Sequence, residues 1–203
     1  MKIITISREF GSGGRELGKR LSEAMKLPYY DHQIMEKLFA EGDFSQSGGR
    51  ALEGDFKAFY PSTIARGFYR SNYALLQSMQ LMAAERSLLR RLAEEGDCVI
   101  VGRAADLVLA DFHPFRIFVC TDDAARILRC REKAGEDEKL SDREILRNCR
   151  ALDRGRSAYR KNFSEQKWGD ARGFDLCINT SGKKIKSLIP GLLLYINSCY
   201  VDE

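Results

Sequence analysis

Apolar positions along the chain fall into short, β-branched runs separated by longer amphipathic stretches. Four runs read as buried strands: Lys2–Ser7 (KIITIS), Cys98–Gly102 (CVIVG), Arg116–Thr121 (RIFVCT) and Phe174–Asn179 (FDLCIN). A fifth, shorter strand is expected at Leu27–Tyr30, just before Asp31. Continuous apolar runs suit strands covered on both faces, and the helical segments between them predict an α/β fold with a parallel sheet. The helices carry their own start signals. Ser12 is the expected cap of a helix from about Arg15 to Met25, with Leu17, Leu21 and Ala24 inward. Asp31 is the expected cap of one with Ile34, Met35 and Leu38 inward. A long helix is predicted over Asn72–Glu95, carrying Leu75, Leu76, Met79, Met82 and Leu89. Thr121 opens another near Ala124–Lys133, and Ser141-Asp142-Arg143-Glu144 is a capping box for a helix to about Lys161. Two segments fit this scheme poorly. Gly42–Arg70 is rich in Gly, Phe and Tyr without a clean period, and Gly135–Leu140 is short and charged. Both read as surface excursions or mobile flaps.

Composition narrows the function classes. The 203 residues are 44% hydrophobic and 31% charged, enough to bury one good core. A net charge of +4, from 33 basic and 29 acidic residues, is too small an excess to point to a nucleic-acid binder. It still permits a local basic cleft for a phosphorylated ligand. No apolar run is long enough to span a membrane, and the N-terminus MKIITISREF lacks the apolar core of a signal peptide. The expectation is a cytoplasmic protein. Cys98, Cys120, Cys130, Cys149, Cys177 and Cys199 form no C-x-x-C pair, and there are two histidines, His32 and His113, which argues against zinc. Cys98, Cys120 and Cys177 lie in strand-like runs and read as reduced, small core residues.

The chemistry concentrates in ITISREFGSGGRELGKRL, Ile4 to Leu21, a strand, a glycine-rich turn and a helix. Gly11, Ser12, Gly13 and Gly14 let the backbone turn sharply and aim successive N–H groups into one concavity. The helix that follows adds its positive end, so an anion site arises without any side chain. The usual phosphate-loop pattern is G-x-x-x-x-G-K-[ST]. Aligned on Gly13, this chain has Arg8 at the first glycine, Gly14 at the lysine and Arg15 or Glu16 at the hydroxyl position. Arg15 and Arg8 flank the nest and are the candidate replacements for the lysine. The expected phosphate- and ATP-binding set is Arg8, Gly11, Ser12, Gly13, Gly14, Arg15 and Glu16.

The string S-R-E-F-G-S-G-G-R-E-L-G-K-R-L resembles the opening of the cytidylate kinase-like family, relatives of the bacterial cytidylate kinases, which are P-loop nucleoside monophosphate kinases. Val101-Gly102-Arg103, then Pro114-Phe115-Arg116-Ile117-Phe118-Val119 and Arg126, are similar to the cytidylate kinase strand–Gly-Arg–strand–helix segment. Asp153-Arg154-Gly155-Arg156 resembles its arginine-rich lid, and Asp175–Gly182 its last strand and turn. The resemblance covers nearly the whole chain and implies a three-layer P-loop kinase fold with a parallel sheet of about five strands. It implies a core at 1–31, 96–130 and 170–203, an acceptor-binding insertion at about 32–95 and a lid at about 131–165. It implies ATP as phosphoryl donor, a nucleoside monophosphate (CMP or dCMP) as acceptor, and Mg2+. Arg126 would join the ATP site, while Arg103 and Arg154 would hold the acceptor's phosphate. Asp31 would orient the acceptor or serve only as a helix cap. Three departures bear on specificity and metal: Val101 stands at an acidic position, Ala104 replaces an aspartate after Arg103, and Gly155 replaces an aspartate of the lid. They leave cytidine specificity and the metal ligands open.

Phosphoryl transfer needs converging cations more than a covalent catalyst. At about 100° per residue, Ile145, Cys149 and Leu152 form the inner face of the 141–161 helix, and Arg156 and Arg160 continue it. Arg143, Arg147, Arg150 and Arg154 form the opposite stripe, so the angle of Arg154 conflicts with its family position unless the helix breaks at Gly155. Arg15, Arg156 and Arg160 are the expected catalytic cations, with Arg156 also facing the acceptor. A non-catalytic nucleotide-binding or regulatory protein is the alternative, motivated by the altered loop. A nucleic-acid-binding domain using the arginine stripe is a third reading.

Overall fold

Five strands form one all-parallel sheet in the computed structural model, which describes residues 1–34, 72–134 and 140–200. They are β1 (Ile3–Arg8), β2 (Tyr29–Tyr30), β3 (Cys98–Val101), β4 (Phe115–Cys120) and β5 (Leu176–Asn179), in the order β2-β3-β1-β4-β5. Each of the five apolar runs has become a strand. The central strand β1 pairs Ile4 with Val99 on one side and Ile6 with Ile117 on the other. The helices are α1 (Gly14–Met25), α2 (Asn72–Glu94), α3 (Ala105–Val108), α4 (Asp123–Lys133), α5 (Asp142–Arg160) and α6 (Ile185–Cys199).

Alternation along the strands splits the core into two layers. Ile4, Ile6, Val99, Val101, Ile117 and Val119 face one side, where Leu17 and Leu21 of α1 and Ile185, Leu192 and Ile196 of α6 cover them. Ile3, Cys98 and Ile100 face the other, against Leu88, Leu89 and Leu92 of α2 and Ala105 and Val108 of α3. Helices on both faces of a parallel sheet complete the three-layer α/β fold. Burying each such Leu or Ile side chain contributes roughly 1.5–3 kcal/mol, so the sheet's C-terminal edge rests on a rigid base.

The caps refine the boundaries. Helix α1 begins one residue early, at Gly14, after Gly13 in the left-handed region, and Ser12 does not cap it in the expected way. Asp122 rather than Thr121 caps α4, accepting from the Ala125 N–H. The capping box of Ser141 and Glu144 is complete, and α5 runs unbroken through Gly155 to Arg160. The reading of Cys98 as a core residue holds, but Cys177 is exposed, because β5 is an edge strand, and Cys120, the last residue of β4, is half-buried. Helix α6 has no counterpart in the expectations above. Its segment is apolar nearly all round and contains Pro190 and Gly191, which hide a helical period. The expectations for Met35, Leu38, Gly42–Arg70 and residues 135–139 lie outside the described residues.

Candidate active site

The sheet's C-terminal edge gathers the ends of β1, β2 and β3, and the loop after β1 turns there into α1. Gly11 (φ 75°) and Gly13 (φ 78°) both adopt the left-handed conformation. A Cβ on Gly11 would meet Arg126 Cγ at 2.7 Å, and one on Gly13 would meet Ile185 Cδ1 at 2.7 Å. Only glycine fits both conditions. Ser12 is fully buried. Its hydroxyl donates to the Glu9 carbonyl (2.8 Å) and accepts from the Gly14 N–H (3.3 Å). The Leu17 N–H reaches the Gly13 carbonyl. The N–H groups of Gly11, Gly13, Arg15 and Glu16 donate to no acceptor among the described residues. Unspent donors around a double left-handed turn at a helix N-terminus make a candidate anion seat.

The loop is held from behind by side chains distant in sequence. The Thr180 hydroxyl donates to the Ser12 carbonyl (2.7 Å). Arg129 donates to the carbonyls of Gly11 (3.3 Å) and Thr180 (2.7 Å). The Arg126 guanidinium bridges Glu9 (2.8 Å) and Asp153 (3.0 Å), and Asp153 accepts the Phe10 N–H (2.8 Å). Arg156 closes the cluster, donating to the Arg8 carbonyl (3.0 Å) and to Asp153 (3.1 Å). Burial pushes the Asp153 carboxyl up, against the pull of Arg156, the Phe10 N–H and Arg126.

A second cationic group sits beside the seat. The Arg8 side chain passes over Gly14 and lays its guanidinium against Gly102, where any Cβ would overlap it. Next to Gly102, Arg103 takes a left-handed conformation (φ 59°) and pairs with the buried Glu85 (3.1 Å). The other Glu85 oxygen accepts the Tyr159 hydroxyl (2.7 Å). Burial raises the Glu85 carboxyl, opposed by Arg103 and Tyr159. Burial, then the charge of Arg103, then that of Arg8, push the His32 imidazole down to about 4. His32 is therefore neutral at pH 7. Because its folded value lies below the ordinary 6.5, its contribution to stability is complete above 6.5 and is lost as pH falls toward 4. His32→Gln is expected to flatten the unfolding free energy across that window; an unchanged pH profile would overturn this.

The sequence model of the cytidylate kinase-like family matches residues 3–182. The chain belongs to the cytidylate kinase-like family. An uncharacterized protein of Eubacterium ventriosum is 24% identical, with a TM-score of 0.70 over 98% of this chain and 99% of its own. Shikimate kinase of Bacteroides thetaiotaomicron is 17% identical (TM-score 0.56, covering 97% and 98%). Shikimate kinase of Acinetobacter baumannii is 13% identical (TM-score 0.57, covering 100% and 96%). These likenesses establish the P-loop kinase fold. The comparison with curated proteins produced no match. No helix among the described residues is long and apolar enough to cross a membrane.

Within this cytidylate kinase-like fold the residues singled out in the sequence separate into distinct places. The unspent N–H groups of Gly11, Gly13, Arg15 and Glu16 make up the candidate seat, those of Ser12 and Gly14 are bonded to the Glu9 carbonyl and the Ser12 hydroxyl, and the Glu16 carboxylate pairs with Arg20 (2.8 Å). The Arg15 side chain turns away to Asp31 (2.7 Å) and Gln33, so its head sits at the end of β2. Asp31 both caps and pairs: one oxygen accepts the Gln33 and Ile34 N–H groups and the other holds Arg15 and Tyr29. Its carboxyl is lowered overall, with the Ile34 N–H and Arg15 outweighing burial. Arg126 lies behind the loop. Arg156 reaches the loop, whereas Arg160 is buried against Asp106 (2.6 Å) and stacks over Phe174. With α5 unbroken at Gly155, Arg154 stays on the exposed stripe with Arg143, Arg147 and Arg150. Glu9, Glu85, Arg129 and Thr180 escaped the sequence reading, because their partners are remote along the chain.

Proposed function

We propose that the protein is an ATP-dependent small-molecule kinase that moves the γ-phosphoryl group of ATP to a nucleoside monophosphate, CMP or dCMP by family resemblance. The observation that carries this reading is the set of N–H groups of Gly11, Gly13, Arg15 and Glu16, without acceptors among the described residues, at the family's phosphate loop. The seat would hold the donor's phosphates through backbone dipoles. Arg8, lying across the floor from Gly14 to Gly102, supplies a fixed cation between the donor seat and Arg103. Arg103, with Arg15 and Asp31 at the end of β2, would receive the acceptor. An oxygen of the acceptor attacks the γ-phosphorus as the bond to the bridging oxygen breaks and ADP leaves. Cations fixed where charge develops lower that barrier without a covalent intermediate.

Magnesium would travel with ATP, held by phosphate oxygens and water. Among the described residues no three His, Cys, Asp or Glu side chains converge on a metal site. The carboxylates beside the loop are engaged, Glu9 by Arg126 and Glu16 by Arg20.

The test is ADP release from ATP and magnesium across a panel of nucleoside monophosphates. Stimulation by a pyrimidine monophosphate is expected. ATP binding without transfer to any acceptor would favour the non-catalytic reading instead. In the same assay Arg8→Met is expected to lose about a hundredfold in rate. Its thermal stability should stay within about 1 kcal/mol of the parent. Undiminished turnover would remove Arg8 from the reaction.

A further inference from the structure

Helices α4 and α5 meet at two thiols. Cys130 Sγ and Cys149 Sγ stand 3.7 Å apart, on helices that pack directly against each other. A disulfide needs its sulfurs at about 2.05 Å, so rotation about the side-chain bonds and a small approach would close the gap. The two cysteines differ in access: Cys130 is half-buried and Cys149 is 1% exposed. Their place in the fold is specific. Cys130 follows Arg126 by one helical turn in α4, and Cys149 precedes Asp153 by one turn in α5. The thiol pair is therefore the next rung beyond the Arg126–Asp153 ion pair that backs the phosphate seat.

We propose that Cys130 and Cys149 are a reversible redox site, forming a disulfide that clamps α4 to α5 next to the loop-supporting cluster. Cys130 is the half that a small oxidant reaches. The hydrogen bond shared with Cys149 lowers its thiol, against burial, and the charges of Arg126 and Lys133 lower it further. With hydrogen peroxide as oxidant, the Cys130 thiolate attacks a peroxide oxygen. The O–O bond breaks, and hydroxide leaves and takes up a proton to become water. The Cys149 sulfur then attacks the sulfenic sulfur of Cys130. The S–O bond breaks, and the thiol proton leaves with the oxygen as a second water. Two thiols are oxidised and one peroxide is reduced to two waters. A thiol reductant reverses the bond by exchange.

The test uses the whole protein treated with hydrogen peroxide, then alkylated and mapped by mass spectrometry. A peptide linked through Cys130 and Cys149 is expected to appear before any other cross-link and to vanish with dithiothreitol. The oxidised protein should unfold at a higher temperature than the reduced one, and Cys149→Ser should abolish that rise while leaving a sulfenic acid at Cys130 that dimedone traps. Cys199→Ser is expected to behave as the parent. Separate alkylation of both cysteines after peroxide, or cross-linking elsewhere first, would overturn the site; a linked protein with an unchanged unfolding temperature would overturn the clamp. None of these readouts depends on phosphoryl transfer.

Discussion

Replacing Arg126 by methionine is expected to cost about 3–5 kcal/mol of stability, a fall in unfolding temperature on the order of 10 °C. The reason is what the substitution leaves behind. The guanidinium is 6% exposed and sits between Glu9 and Asp153, themselves 26% and 12% exposed. Without it, Glu9 loses its ion-pair partner, Asp153 keeps only Arg156 (3.1 Å), and the bridge between the two carboxylates behind the loop is gone. Methionine keeps much of the aliphatic volume against Gly11, so the loss is chiefly electrostatic. A second readout separates charge from packing. Asp153 is already pushed up by burial, and in the variant it rises further, so protonation relieves the strain and the deficit narrows as pH falls. Thermal unfolding of parent and variant at neutral and mildly acidic pH measures both effects. A loss under about 1 kcal/mol would show that this pair carries little of the loop's support.

Asp106→Ala is expected to destabilise by a similar amount, about 3–5 kcal/mol, because it strands a buried charge. Arg160 and Asp106 are 3% and 2% exposed, and their contact is 2.6 Å. The Phe174 ring 5.2 Å from the guanidinium offers partial compensation only. Pairing Asp106→Leu with Arg160→Met removes both charges and should recover most of the stability, since an apolar pair of similar volume avoids the desolvation penalty. Turnover by the double variant then decides the role of Arg160. Parent-like stability with near-parent turnover assigns Arg160 to the scaffold. Parent-like stability with turnover down about a hundredfold returns it to the reaction.

What the sequence disclosed follows from the range of the forces involved. KIITIS and CVIVG declared themselves as strands because burial on both faces demands an apolar residue at every position. The Ser141 box declared α5 because a cap is a local matter. The seat was legible for the same reason: glycine content and a following helix lie within a few residues. Side-chain destinations were not. Arg15 stands beside the seat in sequence, but its long side chain answers to Asp31, which no local signal reveals. The helical angle set Arg160 on the inner face of α5, yet Asp106 waiting there is a fact of tertiary packing. The supports of the loop, Arg129, Thr180 and Glu9, act across more than a hundred residues or through the last strand, where period and spacing carry no information.

The bracing of the loop has one more consequence. Phe10, Ser12 and Gly11 are each tied to another element by a hydrogen bond to Asp153, Thr180 or Arg129. A phosphate group bound at the proposed seat would find its donors already aimed and immobilised. Ordering a flexible loop would otherwise subtract from affinity, at roughly 1–2 kcal/mol for each residue frozen on capture. Here that entropy is spent during folding, so the proposed binding would proceed onto a preorganised surface, and differences among phosphorylated ligands would fall to the groups they present beyond the phosphate.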